Sequence, residues 1–190
     1  TLFAIQVGIT MLLRDWGVTP SAVIGHSVGE VAAAWASGAL SLEQAVHVIH
    51  VRSTQQGTTR GTGGMTAVGL SAEGVAKLLA SMGLSERLAV AGVNSPRGVT
   101  VAGETAALEL LERLLAEREV FFRRLGLDYA FHSAAMDCIQ DGIRTQLATL
   151  RPRSARTPFY STVTGNQLPG DRLNANYWWR NIREPVQFER

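Results

Sequence analysis

The spacing of apolar and polar positions divides the chain into alternating short strands and amphipathic helices. Leu2, Phe3, Ile5, Val7, Ile9, Met11, Leu12 and Leu13 predict a helix over residues 1–16 that stops at Gly17, with Pro20 beyond it. Residues 21–24 predict a short buried strand, residues 25–29 a sharp turn, and residues 30–36 a helix with Gly38 as its C-terminal cap. Ser41 and Gln44 have the spacing of a capping box and start a helix through Val51, extending past Arg52 at most. After a Gly- and Thr-rich stretch at 58–64 the cycle shortens to strand 65–70, helix 72–82, strands 88–93 and 98–102, helix 105–118 and strand 120–127. That βαββαβ order is the split-βαβ, ferredoxin-like arrangement. Residues 133–150 again predict a helix, 151–153 a loop, 159–163 a strand and 165–170 a turn. The aromatic segment 177–186 is expected to pack back on the body.

With 190 residues, 46% hydrophobic and 18% charged, the chain can bury one sizeable core with a smaller lobe inserted. The formal net charge is only +2, and the basic residues are scattered without interleaved aromatics, which argues against nucleic acid as the main partner. Cys138 is the single cysteine, so a disulfide framework or a cysteine-rich zinc site is ruled out and a reducing compartment fits. No apolar run is long enough to span a membrane and no leader pattern opens the chain, so no membrane partner and a cytoplasmic location are expected. The opening at Thr1, without methionine and directly into a helix, reads as a piece of a longer polypeptide.

Candidate chemistry centres on Gly25-His26-Ser27-Val28-Gly29, a G-x-S-x-G pattern between a predicted strand and a predicted helix, the setting of a nucleophile elbow. So tight a turn needs small neighbours, and it projects the serine at a helix N-terminus, where developing negative charge is favoured. A serine hydroxyl needs a base, and four histidines are available. His26 adjoins the serine, but side chains of neighbouring turn residues diverge. His47 and His50 stand at i, i+3 on a helix without further ligands, so packed or solvated helix positions are expected and no metal site. His132 lies where the chain leaves the lobe, a loop position suited to a catalytic group. Arg52 taken alone reads as a helix-terminal charge favoured by the dipole. Residues 61–64 lack the Lys-Ser/Thr pair of a phosphate loop and read as a flexible connector, while Trp178 and Trp179 read as packing residues.

Taken together, these residues resemble the acyltransferase domain of type I polyketide synthases, related to the malonyl transacylases of fatty acid synthesis. The resemblance is carried by Leu2–Gln6, Gly25–Glu30, Gly38–Leu42, Arg52-Ser53, Gly64-Met65, Val93–Pro96, Tyr129–Ser133 and Tyr177–Val186. It implies an α/β fold with an α/β-hydrolase-like body and parallel sheet (residues 1–62 and 127–190) carrying the ferredoxin-like lobe (63–126).

The resemblance also implies roles. Ser27 would be the nucleophile and His132 the base, in a dyad whose histidine is oriented by backbone carbonyls. The Val28 N–H would be an oxyanion donor, and Arg52 would hold the free carboxylate of the extender unit through two parallel hydrogen bonds. The family's second oxyanion donor sits in a GQGxQ segment that does not occur here, and the family continues beyond Arg190; both fit a fragment. Malonyl-specific members tend to read HAFH and methylmalonyl-specific ones YASH before the histidine, whereas this chain has Tyr129-Ala130-Phe131-His132. Phe131 would fill the space of an α-methyl, and Val28 stands where methylmalonyl enzymes often carry glutamine, so malonyl is expected. The implied substrate is malonyl-coenzyme A, with no tightly bound cofactor. The implied partners are an acyl carrier protein with its phosphopantetheine and a ketosynthase domain in the same polypeptide. Two other readings remain at the level of sequence: a serine esterase or thioesterase with Asp128, Asp137 or Asp141 as acid partner, and a non-catalytic scaffold.

Overall fold

The computed structural model describes residues 2–189. Thr1 and Arg190, the ends of the expected first helix and of the expected body, lie outside the described residues. Helix α1 (Leu2–Asp15) leads to β1 (Val23–Ile24), then α2 (Gly29–Ala36) and α3 (Leu42–Gly57). The Ser41 hydroxyl accepts from the Gln44 N–H, and Gln44 returns the bond to the Ser41 N–H, so the capping box forms as expected. Strand β1 pairs in parallel with β6 (Phe159–Ser161), and β6 turns back antiparallel onto β7 (Asn166–Gln167). The parallel sheet expected of the body is therefore one parallel pair with a hairpin strand at its edge. Its strands are shorter than expected because the chain leaves the ladder at once for the turn after Ile24.

Around this sheet one core gathers Val31, Ala34, Leu40, Val48 and Val51 with Met136, Ile143, Phe159, Trp178 and Ile182. Helix α2 is buried over five successive residues, Glu30 to Ala34, and its alanines let it sit close beneath β1.

The lobe runs β2 (Gly64–Val68), α4 (Ala72–Ser81), β3 (Leu88–Ser95), β4 (Gly98–Gly103), α5 (Thr105–Glu117) and β5 (Phe122–Arg124). Its strand order is β5-β2-β4-β3, the split-βαβ order, with Val75, Leu79, Leu108 and Leu111 covering one face. The connector into the lobe is not loose. Gly63, at φ 152°, passes so close to Gly103 that a Cβ would stand 2.2 Å from its carbonyl oxygen. That close approach requires glycine.

Two expectations are corrected on the far side of the lobe. Residues 133–150 do not form one helix: Ala134–Ile139 is a 3-10 turn, and α6 (Gln140–Gln146) ends four residues before position 150. Ser133 caps the tight turn through the Ala135 N–H, and Gly142 lets α6 press against Gln55 of α3. Helix α7 (Ala175–Arg183) does pack into the body through Tyr177, Trp178 and Trp179. Strand β8 (Val186–Gln187) instead crosses over and pairs in parallel with β3, adding a fifth strand to the lobe's sheet.

Candidate active site

The site begins at the turn from β1 into α2. Ser27 adopts φ 52°, a left-handed conformation that an L-residue takes only under constraint, and the chain closes tightly enough that a Cβ on Gly25 would lie 2.3 Å from the Gly29 carbonyl. Glycine is thus required at position 25. At position 29 it is not: a Cβ there would meet only the Gln6 amide, at 3.6 Å. The turn leaves the Ser27 hydroxyl just ahead of α2, with Val28 at the N-cap.

Opposite it stands His132, also left-handed at φ 59° and almost fully buried. Ser27 Oγ and His132 Nε2 are 2.8 Å apart, and His132 Nδ1 is 2.9 Å from the Glu184 backbone carbonyl. A carbonyl only accepts, so the proton rests on Nδ1, and Nε2 presents its lone pair to the serine. Burial pushes the imidazole down to about 3, helped by the Arg52 charge and opposed by the Glu184 carbonyl, so it stands as a neutral base.

Asp128 and Asp137 are engaged by Arg60 and Arg183, and among the described residues no carboxylate bonds to His132. The acid partner that a hydrolase triad requires is therefore not at this histidine. His26 turns away from Ser27, to Asn94 Oδ1 at 2.8 Å and the Phe188 ring. His47 and His50 are exposed on α3, with His47 bonded to the Gln146 carbonyl. Among the described residues no group of three His, Cys, Asp or Glu is placed to hold a metal ion, and no helix is long and apolar enough to cross a membrane.

Arg52 differs from its reading as a helix-terminal charge. Helix α3 continues five residues beyond it to Gly57 because Ser53, Thr54, Gln55 and Gln56 extend the helix without apolar periodicity. The side chain is buried and points inward, with Nη2 donating to Ser27 Oγ at 3.1 Å and Nε to Gln56 at 3.1 Å. Burial lowers its pKa to about 10, and Glu30 and Tyr177 oppose the shift, so it remains a cation at neutral pH.

Two further residues of this cluster escaped the sequence reading. Asn181 of α7 accepts from Arg52 Nη1, and its Nδ2 donates to the Ser27 carbonyl at 3.3 Å and to Glu30 Oε2 at 3.0 Å. Glu30 is fully buried beneath the serine turn. The available signal was a carboxylate in the otherwise apolar Gly29–Ala36 helix and an asparagine among buried aromatics.

The selectivity candidates fall into two places. Tyr129 and Phe131 stack, with ring centroids 4.9 Å apart and planes 10° from parallel, and Phe131 packs against both the body core and the small cluster of Met65, Ala91, Ala102 and Ala130. Val28 lines a groove of about 720 Å³ with Leu2, Gln6, Ile24, His26 and Phe188.

Such a cluster can pass a proton from serine to imidazole and hold an anion beside the same oxygen. The family model described as "Acyl transferase domain" matches residues 1–190. The chain is 44% identical, over 99% of its length, to "Polyketide synthase GfsB" of Streptomyces halstedii, and 45% identical over its whole length to "Spectinabilin polyketide synthase system protein NorA" of Streptomyces orinoci. It spans 3% and 10% of those two relatives. Among solved structures, the acyltransferase domain from module 8 of the salinomycin polyketide synthase superposes with a TM-score of 0.94 at 40% identity, covering 98% of this chain and 44% of that one. A loading acyltransferase from the avermectin modular polyketide synthase gives 0.95 at 39% identity, covering all of this chain and 60% of that one. The chain belongs to the acyl transferase domain family, in the form that polyketide synthases carry.

Proposed function

We propose that this chain moves a malonyl unit from coenzyme A to the phosphopantetheine thiol of an acyl carrier protein, through an ester on Ser27. The observation that carries the reading is the convergence on one hydroxyl of His132 Nε2 at 2.8 Å and Arg52 Nη2 at 3.1 Å. A base makes the oxygen nucleophilic, and a buried guanidinium beside it selects an acyl group with a second carboxylate.

His132 Nε2 takes the Ser27 proton as Oγ attacks the thioester carbonyl, with the Val28 N–H at the head of α2 facing the developing oxyanion. The carbon–sulfur bond then breaks, and the imidazolium returns its proton to the departing thiolate. In the second half the carrier's thiol gives its proton to His132, its sulfur attacks the malonyl ester, and Ser27 leaves with that proton. Arg52 also tunes the base. Its charge disfavours the imidazolium, and pairing with the malonyl carboxylate cancels that charge when the base is needed.

The malonyl assignment rests on the resemblance at Phe131 and Val28: Phe131, held by its stack on Tyr129 one residue before His132, and Val28, next to Ser27, are the side chains assigned to limit an α-substituent. The division into a body (1–62 and 127–190) bearing Ser27, Arg52 and His132 and a smaller ferredoxin-like lobe (63–126) belongs to the same reading, as do a ketosynthase in the same polypeptide and a cytoplasmic setting. Intact-protein mass spectrometry after brief exposure to malonyl-coenzyme A tests it. The malonyl adduct is expected to vanish in Ser27→Ala and to weaken strongly in Arg52→Ala. Faster acylation by methylmalonyl- than by malonyl-coenzyme A in direct competition would overturn the extender assignment alone.

A further inference from the structure

The buried side of Arg52 is built as carefully as the side that meets Ser27. Glu30 is fully buried, and both of its oxygens are occupied: Oε1 accepts the Thr162 N–H at 2.5 Å and the Thr162 hydroxyl at 2.6 Å, and Oε2 accepts the Tyr177 hydroxyl and Asn181 Nδ2 at 3.0 Å. Asn181, 2% exposed, spans from this carboxylate to the guanidinium, where its Oδ1 accepts from Arg52 Nη1.

An asparagine amide can exchange its oxygen and nitrogen by rotating half a turn. Rotated here, it would face its N–H groups toward Arg52, donor against donor, and its oxygen toward the Glu30 carboxylate. Glu30 therefore fixes which way the amide points. With Nε bound to Gln56, Nη1 to Asn181 and Nη2 to Ser27, the guanidinium is held at three nitrogens and keeps one N–H on each Nη for a carboxylate.

We propose that Asn181, oriented by Glu30, is a positioning residue that sets the Arg52 guanidinium for acyl groups with a free carboxylate and so determines the preference for diacid over simple acyl thioesters. This rests on the proposed acyl transfer. Neither residue touches the reacting carbon; Asn181 bears on the acyl group through Arg52, and its Nδ2 also donates to the Ser27 carbonyl at 3.3 Å, a contact that serves every acyl group alike. Removing Asn181 frees the guanidinium to turn, which weakens recognition of the second carboxylate, while His132 Nε2 and Ser27 Oγ, whose 2.8 Å contact does not include Asn181, serve both substrates.

The test measures self-acylation of the native polypeptide by malonyl-coenzyme A and, separately, by acetyl-coenzyme A in Asn181→Ala, Glu30→Gln, Arg52→Ala and the Asn181→Ala/Arg52→Ala double variant. The malonyl-to-acetyl ratio of kcat/KM is expected to fall by about tenfold or more in Asn181→Ala, and in the same direction in Glu30→Gln, the acetyl rate falling less than the malonyl rate because only malonyl uses the guanidinium. In the Arg52→Ala background, Asn181→Ala should change the ratio no further, because its effect on the ratio passes through the guanidinium, whereas a merely structural role would leave the ratio unmoved already in Asn181→Ala. A ratio that holds in Asn181→Ala and Glu30→Gln but drops in Arg52→Ala overturns the role of Asn181 while sparing the acyl-transfer reading. Equal loss of both substrates in Asn181→Ala also overturns it, as does an additive effect in the double variant. A ratio indifferent to Arg52→Ala removes the reading on which the proposal stands, and the proposal with it.

Discussion

Ser27 and His132 meet at 2.8 Å with both backbones left-handed, at φ 52° and 59°, although neither is glycine. Each is held in that conformation by its surroundings, the serine by the turn around Gly25 and the histidine by its N–H to the Ile182 carbonyl and its ring to the Glu184 carbonyl. Glu119, at φ 55°, is the other non-glycine residue in this region among the described residues, so two of the three strained backbones carry the bonded serine and histidine.

That strain can be measured by comparing Ser27→Gly with Ser27→Ala. Both lose the hydroxyl, so both lose its bonds to His132 and Arg52, and only glycine relaxes the left-handed backbone. Ser27→Gly should be the more stable of the two by about 1 kcal/mol in urea denaturation, with no acylation in either. Equal midpoints would mean that the turn carries no strain at the serine.

The two glycines of the turn should separate sharply. Gly25→Ala would drive a Cβ to 2.3 Å from the Gly29 backbone and should abolish acylation and destabilise the fold by several kcal/mol, on the order of an overpacked core site. Gly29→Ala opens a helix with only the Gln6 amide nearby and should keep acylation within about threefold while raising stability by up to about 1 kcal/mol. Equal damage from both would show that position 29 is constrained by something other than space.

The difference between these glycines bears on what the chain's pattern could reveal. The strand–turn–helix around Ser27, the capping box at Ser41 and the βαββαβ order were legible because each is written in neighbouring residues. Glu30, Asn181 and strand β8 were not, because their meaning depends on partners 132, 129 and about 94 positions away in sequence, at Thr162, Arg52 and Gly92. Arg52 was legible as a residue and misread as a helix end, since apolar periodicity fades at Val51 while the helix continues. The 3-10 turn after Ser133 was lost for a similar reason: its apolar spacing resembles a helix, and only packing against α3 and α7 tightens it.

Glu184 offers a test of how His132 is oriented. Its backbone carbonyl holds Nδ1, while its side chain pairs with Arg180 in a half-exposed ion pair. Glu184→Ala should therefore leave acylation within about threefold, because the carbonyl remains and an exposed pair contributes at most about 1 kcal/mol. Removing the aspartate of a serine hydrolase triad slows turnover by about ten-thousandfold. A loss on that scale in Glu184→Ala would turn the assignment toward a carboxylate-assisted triad.

The depressed basicity of His132 fixes the pH dependence of both rate and stability. With the imidazole held down to about 3, it stays neutral throughout the ordinary working range, so kcat/KM for acylation should be flat from pH 8 to about 5, without the inflection near 6.5 of an exposed histidine. For stability the sign follows from proton binding. The unfolded chain protonates this histidine as pH falls through 6.5, whereas the folded chain refuses the proton until about 3. The contribution of the buried neutral ring is fully present above 6.5 and is lost progressively toward 3, by up to about 1.4 kcal/mol per pH unit. Urea midpoints of the native polypeptide and of His132→Phe, each at pH 7.5 and 5.0, isolate the effect, because every other titrating group is shared. The loss of stability on acidification should be smaller in His132→Phe by about 1–2 kcal/mol. An equal loss in both would mean that His132 accepts a proton in the folded state near its ordinary pKa. The base would then titrate within the working range, and acylation should fall below pH 6.5 in the same samples.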